Sequence, residues 1–172
     1  MSNKVICHNR KGEEFSVDIN KFCFRPSVYG LLIKDGRVLL SRQWDGYDFP
    51  GGGIDLGETL EGAVVREFWE ETGLRVKPIR VLHAETSFYK PHHSNKNGQE
   101  TYWNCQLIYF AVELIGGELS IANIDEFEKE YLDLPEWLDI NNLADKKFKN
   151  SLGQRSVDLI LKTALGQSYY AG

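Results

Sequence analysis

The chain has 172 residues, 42% hydrophobic, 26% charged and 12% aromatic, an ordinary composition for one globular domain that argues against two full ones. Folding at this length buries about 70% of the surface that the unfolded chain exposes, so a core forms without disulfides or structural metal. Twenty Lys and Arg against 25 Asp and Glu give a formal net charge of -5, which argues against duplex nucleic acid as the main partner, because phosphate binding rests on clustered positive charge.

Along the chain, Val5 to His8 and Phe15 to Ile19 are β-prone around a Lys11-Gly12 turn and predict a small N-terminal hairpin within residues 1–25. Cys7, Cys23 and Cys105 are too few and too widely spaced for a disulfide framework or a zinc site. With charged residues at the N-terminus and no apolar run near the ~18 residues of a membrane span, the expectation is a soluble cytoplasmic protein with no membrane partner. Ser27 to Lys34, then Asp35-Gly36, then Arg37 to Arg42 is a strong hairpin signal. Pro50 with three following glycines predicts neither helix nor strand.

Thr59 as N-cap and Gly73 as stop frame a helix whose Leu60, Val64, Phe68 and Thr72 recur every four residues, although Gly62 in its first turn is unfavourable. Leu74 to Tyr89 and Thr101 to Leu114 predict two long strands, joined by a polar stretch from Pro91 to Gln99 that is a candidate lid. The segment around Pro135 reads as acidic and irregular, and Val157, Ile160, Leu161 and Leu165 predict a C-terminal helix over about 151–166. A core over about 26–145 completes one domain spanning 1–172.

On the first helix Glu67, Glu70 and Glu71 stand at i, i+3 and i+4, so three carboxylates are expected to converge and repel one another until a cation resolves them. Taken alone, such a stripe reads more readily as a solvated acidic face than as a site. If it is a site, oxygen-only ligands with open positions select Mg²⁺, or Mn²⁺, over a Ca²⁺ cage.

With its flanks the segment reads Gly52, five residues, Glu58, seven residues, then Arg66-Glu67-Phe68-Trp69-Glu70-Glu71-Thr72-Gly73-Leu74. This resembles the Nudix box, G-x5-E-x7-R-E-U-x-E-E-x-G-U with U an apolar residue, and no specified position departs from the pattern. The resemblance extends over about Pro26 to Leu143. It implies an α/β fold, an α/β/α sandwich around a mixed β-sheet, and a divalent-metal-dependent hydrolase that cleaves the pyrophosphate linkage of a nucleoside diphosphate derivative. By resemblance Glu67, Glu70 and Glu71 look like the catalytic and metal-ligand carboxylates, with the carbonyl of Gly52 a further ligand. Glu58 and Arg66 look like a structural ion pair, with Arg66 expected to project away from the carboxylate stripe.

The general base is Glu67 or a residue outside the box, for which Glu126, Glu128 and Glu130 are the candidates. Trp44, Phe49 and Arg42 are the candidate substrate contacts, with Tyr47 a further aromatic nearby; His92 and His93 read as exposed loop residues. The expected partner is a small nucleoside-diphosphate-type substrate, and a homodimer is compatible with the sequence. The competing readings are a catalytically silent nucleotide sensor, which a lost box carboxylate would mark, and a non-hydrolytic use of the same fold.

Overall fold

Asp35 and Gly36 take positive φ of 51° and 71°, the tight turn that follows the twist of two antiparallel strands, here β3 (Phe22–Lys34) and β4 (Arg37–Gln43). The computed structural model describes residues 3–43, 46–92, 98, 100–124, 132–149 and 154–166. Its other elements are β1 (Lys4–Asn9), β2 (Glu14–Asp18), β5 (Gly46–Asp48), β6 (Gly51–Gly53), α1 (Leu60–Thr72), β7 (Leu74–Lys90), β8 (Tyr102–Gly117), β9 (Leu132–Asp139) and α2 (Gln154–Ala164).

Among the described residues these strands make one nine-stranded sheet in the order β2-β1-β7-β8-β3-β4-β5, with β6 on β3 and β9 on β4. It is mixed, because β3 runs parallel to β8 and β1 parallel to β7 while the other pairs are antiparallel. Alternation along β3 sends Val28 and Leu32 to one face, where they pack with Val64 and Phe68 of α1, and Leu31 to the other, with Val157, Ile160 and Leu161 of α2. A helix thus covers each face, as the α/β expectation required.

The N-terminal hairpin forms, and β1 carries it into the sheet through β7. Two expectations fail, both through tertiary pairing. The glycine run is a strand: Val28 pairs with Gly52, and Gly30 N–H donates to the Pro50 carbonyl at 2.8 Å. The segment around Pro135 is strand β9, paired with β4; Leu134 and Pro135 stand opposite Ser41 alone, a bulge at which a residue without an N–H costs little. At the far end Leu165 lies beyond α2 and is exposed.

Helix α1 approaches the sheet closely at Gly30, where an added Cβ would stand 2.6 Å from the ring of Phe68, a fully buried side chain. Gly30→Ala is therefore expected to cost about 1–3 kcal/mol in urea denaturation, with much of the loss recovered in the Gly30→Ala/Phe68→Leu double variant.

Candidate active site

Thr59 Oγ1 accepts the Gly62 N–H at 3.0 Å and starts α1. An added Cβ at Gly62 would stand 3.2 Å from that oxygen, a tight contact beside the cap. At the other end Gly73 takes a φ of 72° and donates its N–H to the Trp69 carbonyl at 2.9 Å.

The helix presents Arg66 as a hub. Its Nε and Nη2 donate to the two carboxylate oxygens of Glu58, both at 2.7 Å, and Nη2 also reaches the Gly53 carbonyl at 3.0 Å. Its Nη1 donates to Glu67 at 2.8 Å and to Glu70 at 3.0 Å. The fork-to-fork bond to Arg66 holds the Glu58 carboxyl down at about 2. The loop-to-helix ion pair is present, but Arg66 does not project away from the carboxylates. The next turn brings Glu70 under it, and a long guanidinium spans both neighbours.

Glu71 takes a different direction. It is 6% exposed, accepts the Ser41 hydroxyl at 3.0 Å and the Gly51 N–H at 3.1 Å, and is raised to about 8 by burial, with the charges of Asp48 and Glu67 adding and the two hydrogen bonds opposing. The three carboxylates therefore do not share one point: Arg66 holds Glu67 and Glu70, while Glu71 turns to β4 and β6. Among the described residues no three His, Cys, Asp or Glu side chains gather as a metal-ready set. Mutual repulsion is accordingly relieved by Arg66 and by protonation of Glu71.

The glycine strand passes over these groups. A Cβ on Gly52 would stand 2.6 Å from Glu67 Oε2, so only a glycine lets the backbone lie against that carboxylate.

Of the candidate substrate contacts, Phe49 is 1% exposed and packs on Tyr109 and Phe148, so it is a core anchor and cannot stack on a ligand. Arg42 lies on β4 beside Glu136 at 3.4 Å and Asp133 at 3.9 Å, and Tyr47 donates to Glu136 at 3.2 Å. Trp44, Glu126, Glu128, Glu130 and His93 lie outside the described residues, as does most of the expected lid. Sequence reasoning missed Ser41 and Asp48, buried partners across β4 and β5; the only signal for Ser41 is a polar residue directly after the apolar Val38-Leu39-Leu40.

The NUDIX domain family matches residues 24–157, most of the chain. The chain belongs to the NUDIX family. An ADP-ribose pyrophosphatase of Methanocaldococcus jannaschii is 32% identical over 163 residues, covering 86% of this chain and 87% of that protein. An RNA pyrophosphohydrolase of Baumannia cicadellinicola is 46% identical over 68 residues, only 37% of this chain and 42% of that one. Among solved structures, a NUDIX hydrolase from Nitrosomonas europaea has a TM-score of 0.61 at 17% identity, covering 86% of this chain and 93% of that one. An ADP-ribose pyrophosphatase from Streptococcus suis has a TM-score of 0.59 at 19% identity, covering 86% and 96%. These likenesses show the NUDIX fold, a mixed sheet with helices.

The two perturbed carboxyls give this NUDIX chain a pH signature in chelator. Above the ordinary 4.5 an unfolded Glu71 loses its proton, whereas the folded one keeps it to about 8, so the native state binds more protons and stability falls across that window. Glu58 acts oppositely, its contribution being present above 4.5 and lost as pH falls toward about 2. Urea titrations from pH 5 to 8.5 are expected to show a decline of at most on the order of 5 kcal/mol in wild type, and a flat profile for Glu71→Gln.

Proposed function

We propose that this protein hydrolyses the pyrophosphate linkage of a nucleoside diphosphate derivative with a divalent cation, Mg²⁺ or Mn²⁺. The observation that carries the reading is the glycine strand lying against Glu67 within a complete box whose charges are unbalanced. Glu58, Glu67 and Glu70 share one Arg66, and Glu71 is buried with no cation beside it among the described residues.

The residues fit a hard divalent ion. All available donors are oxygens, and the bare backbone of Gly52 lies directly against the Glu67 carboxylate. Glu67, Glu70 and Glu71 would hold the ion, with the Gly52 carbonyl. A bound Mg²⁺ or Mn²⁺ would supply charge neutralisation on the phosphate oxygens and a more acidic water.

The chain's own residues do the rest. Glu58 fixes Arg66, and Arg66 sets the direction of Glu67 and Glu70. Ser41 and Gly51 hold the Glu71 carboxyl on the helix side of β6. Among the described residues Glu67 is the candidate to take the proton of the attacking water; Glu126, Glu128 and Glu130 remain the alternatives outside the box.

Retention of all box carboxylates argues against a silent nucleotide sensor. A relative that aligns over 87% of its own length is an ADP-ribose pyrophosphatase, which supports ADP-ribose as the first substrate to test. The net charge of -5 weighs against a polyanionic RNA. The three cysteines are unpaired, which supports a reducing, cytoplasmic setting, and no helix among the described residues is long and apolar enough to cross a membrane.

The test is a panel of ADP-ribose, nucleotide sugars, nucleoside triphosphates, dinucleoside polyphosphates and a 5′-triphosphate RNA. Hydrolysis should require Mg²⁺ or Mn²⁺ and stop in chelator, and no turnover of any member would overturn the reading. Glu71→Gln is expected to lower kcat by at least ~10² with the fold intact.

In thermal melts, Mg²⁺ at about 100 times Kd should raise the wild-type Tm by roughly 5–10 °C, and Glu70→Gln should show a smaller increment.

A further inference from the structure

Consecutive residues of a strand face opposite sides of the sheet, and β6 carries no side chain on either. The Cβ position of Gly52 meets Glu67 within 2.6 Å; that of Gly53 meets the guanidinium of Arg25, with Nη2 at 3.2 Å and Cζ at 3.3 Å. A ribbon of bare backbone is thus all that separates the box carboxylates from a second arginine.

Arg25 is exposed on β3, and its guanidinium lies 4.3 Å from the ring centroid of Trp103 on β8. Trp103 is itself braced by Tyr89 of β7, ring centroids 6.0 Å apart. Stacking fixes the plane of the guanidinium while leaving its N–H edge available. Arg42 is engaged by Glu136 and Asp133, and Arg66 by Glu58, Glu67 and Glu70, but among the described residues Arg25 enters no ion pair. A cation held in place beside the glycine strand, with its hydrogen-bonding edge unclaimed there, is suited to an anion that reaches past that strand.

We propose that Arg25, laid on Trp103 and against Gly53, binds a phosphate oxygen of the nucleoside diphosphate on the sheet face opposite α1. The inference rests on the hydrolase reading for the identity of the ligand. Its chemistry is that of two N–H donors in a planar fork meeting a phosphate, with Trp103 as the positioning residue behind them. Glycine at position 53 keeps that fork close to the backbone.

The experiment is calorimetric titration of ADP in Mg²⁺, under conditions where chromatography shows ADP intact, with adenosine as the probe that lacks phosphate. Arg25→Gln is expected to weaken ADP binding by about 10- to 100-fold, at an unchanged Tm and with adenosine unaffected. Arg25→Lys, which keeps the charge and loses the fork, should fall between them. Trp103→Leu should weaken ADP binding less, and adding it to Arg25→Gln should cost nothing further, since the indole acts through the guanidinium.

An Arg25→Gln protein that binds ADP within about twofold of wild type overturns the proposal, as does equal loss of adenosine, or a wild type that does not bind ADP. A wild type that binds ADP through Arg25 yet turns over no panel member removes the hydrolase reading and leaves this one. Turnover with unchanged kcat/KM in Arg25→Gln does the reverse.

Discussion

The five hydrogen bonds of one guanidinium hold the site together. Arg66 reaches three carboxylates and a backbone carbonyl from a single turn of α1, and so joins the box loop, the glycine strand and the helix through one side chain. Removing a charge from water is costly unless nearly every donor is used, and here nearly every donor is. A lysine, with a point charge and no fork, could not make the same pattern. The spacing of Glu58 and Arg66 is thereby explained: the loop has to return just far enough for its carboxylate to meet the outer edge of the guanidinium, leaving the inner edge for Glu67 and Glu70.

Glu71 shows the complementary constraint. Its carboxyl is inside the protein, held by a serine hydroxyl and an N–H of the glycine strand, and burial keeps its proton on to about 8. Neutral, it is tolerable in the core; ionised, it needs a positive neighbour that the described residues do not provide. Under the proposed metal binding, cation uptake at this position would release that proton. Glycines at 51 and 52 make both contacts feasible, since side chains there would collide with β3 and with Glu67.

Much of this was legible from spacing. The hairpin through Asp35-Gly36, the capped helix between Thr59 and Gly73, and the long strands on either side of the polar stretch follow local rules that tertiary contacts reinforce. The glycine strand and β9 were not legible, because glycine and proline carry propensities against strand that pairing with β3 and a bulge opposite Ser41 override. The box named the carboxylates, but helical periodicity gives only where side chains leave the backbone. It does not say that Arg66 folds back over Glu67 and Glu70, nor that Glu71 is drawn under β6. Phe49 beside Pro50 could equally have faced a ligand or the core; Tyr109 and Phe148, distant in sequence, decide it. Arg25 had no local signal at all, since its significance comes from Trp103 on another strand.

The parallel ladder between β3 and β8 has a kinetic consequence. Phe22 meets Tyr102 and Leu32 meets Val112, so the two strands close a long loop of chain, which costs more entropy than a hairpin and slows assembly. Strand β6 hangs on β3, and β3 has β8 as its partner on the opposite edge from β4. During synthesis the whole box therefore emerges before the strand that anchors its scaffold. Until β8 arrives, β3, on which the glycine ribbon hangs, lacks its longest partner, so the scaffold of the site is completed late in folding.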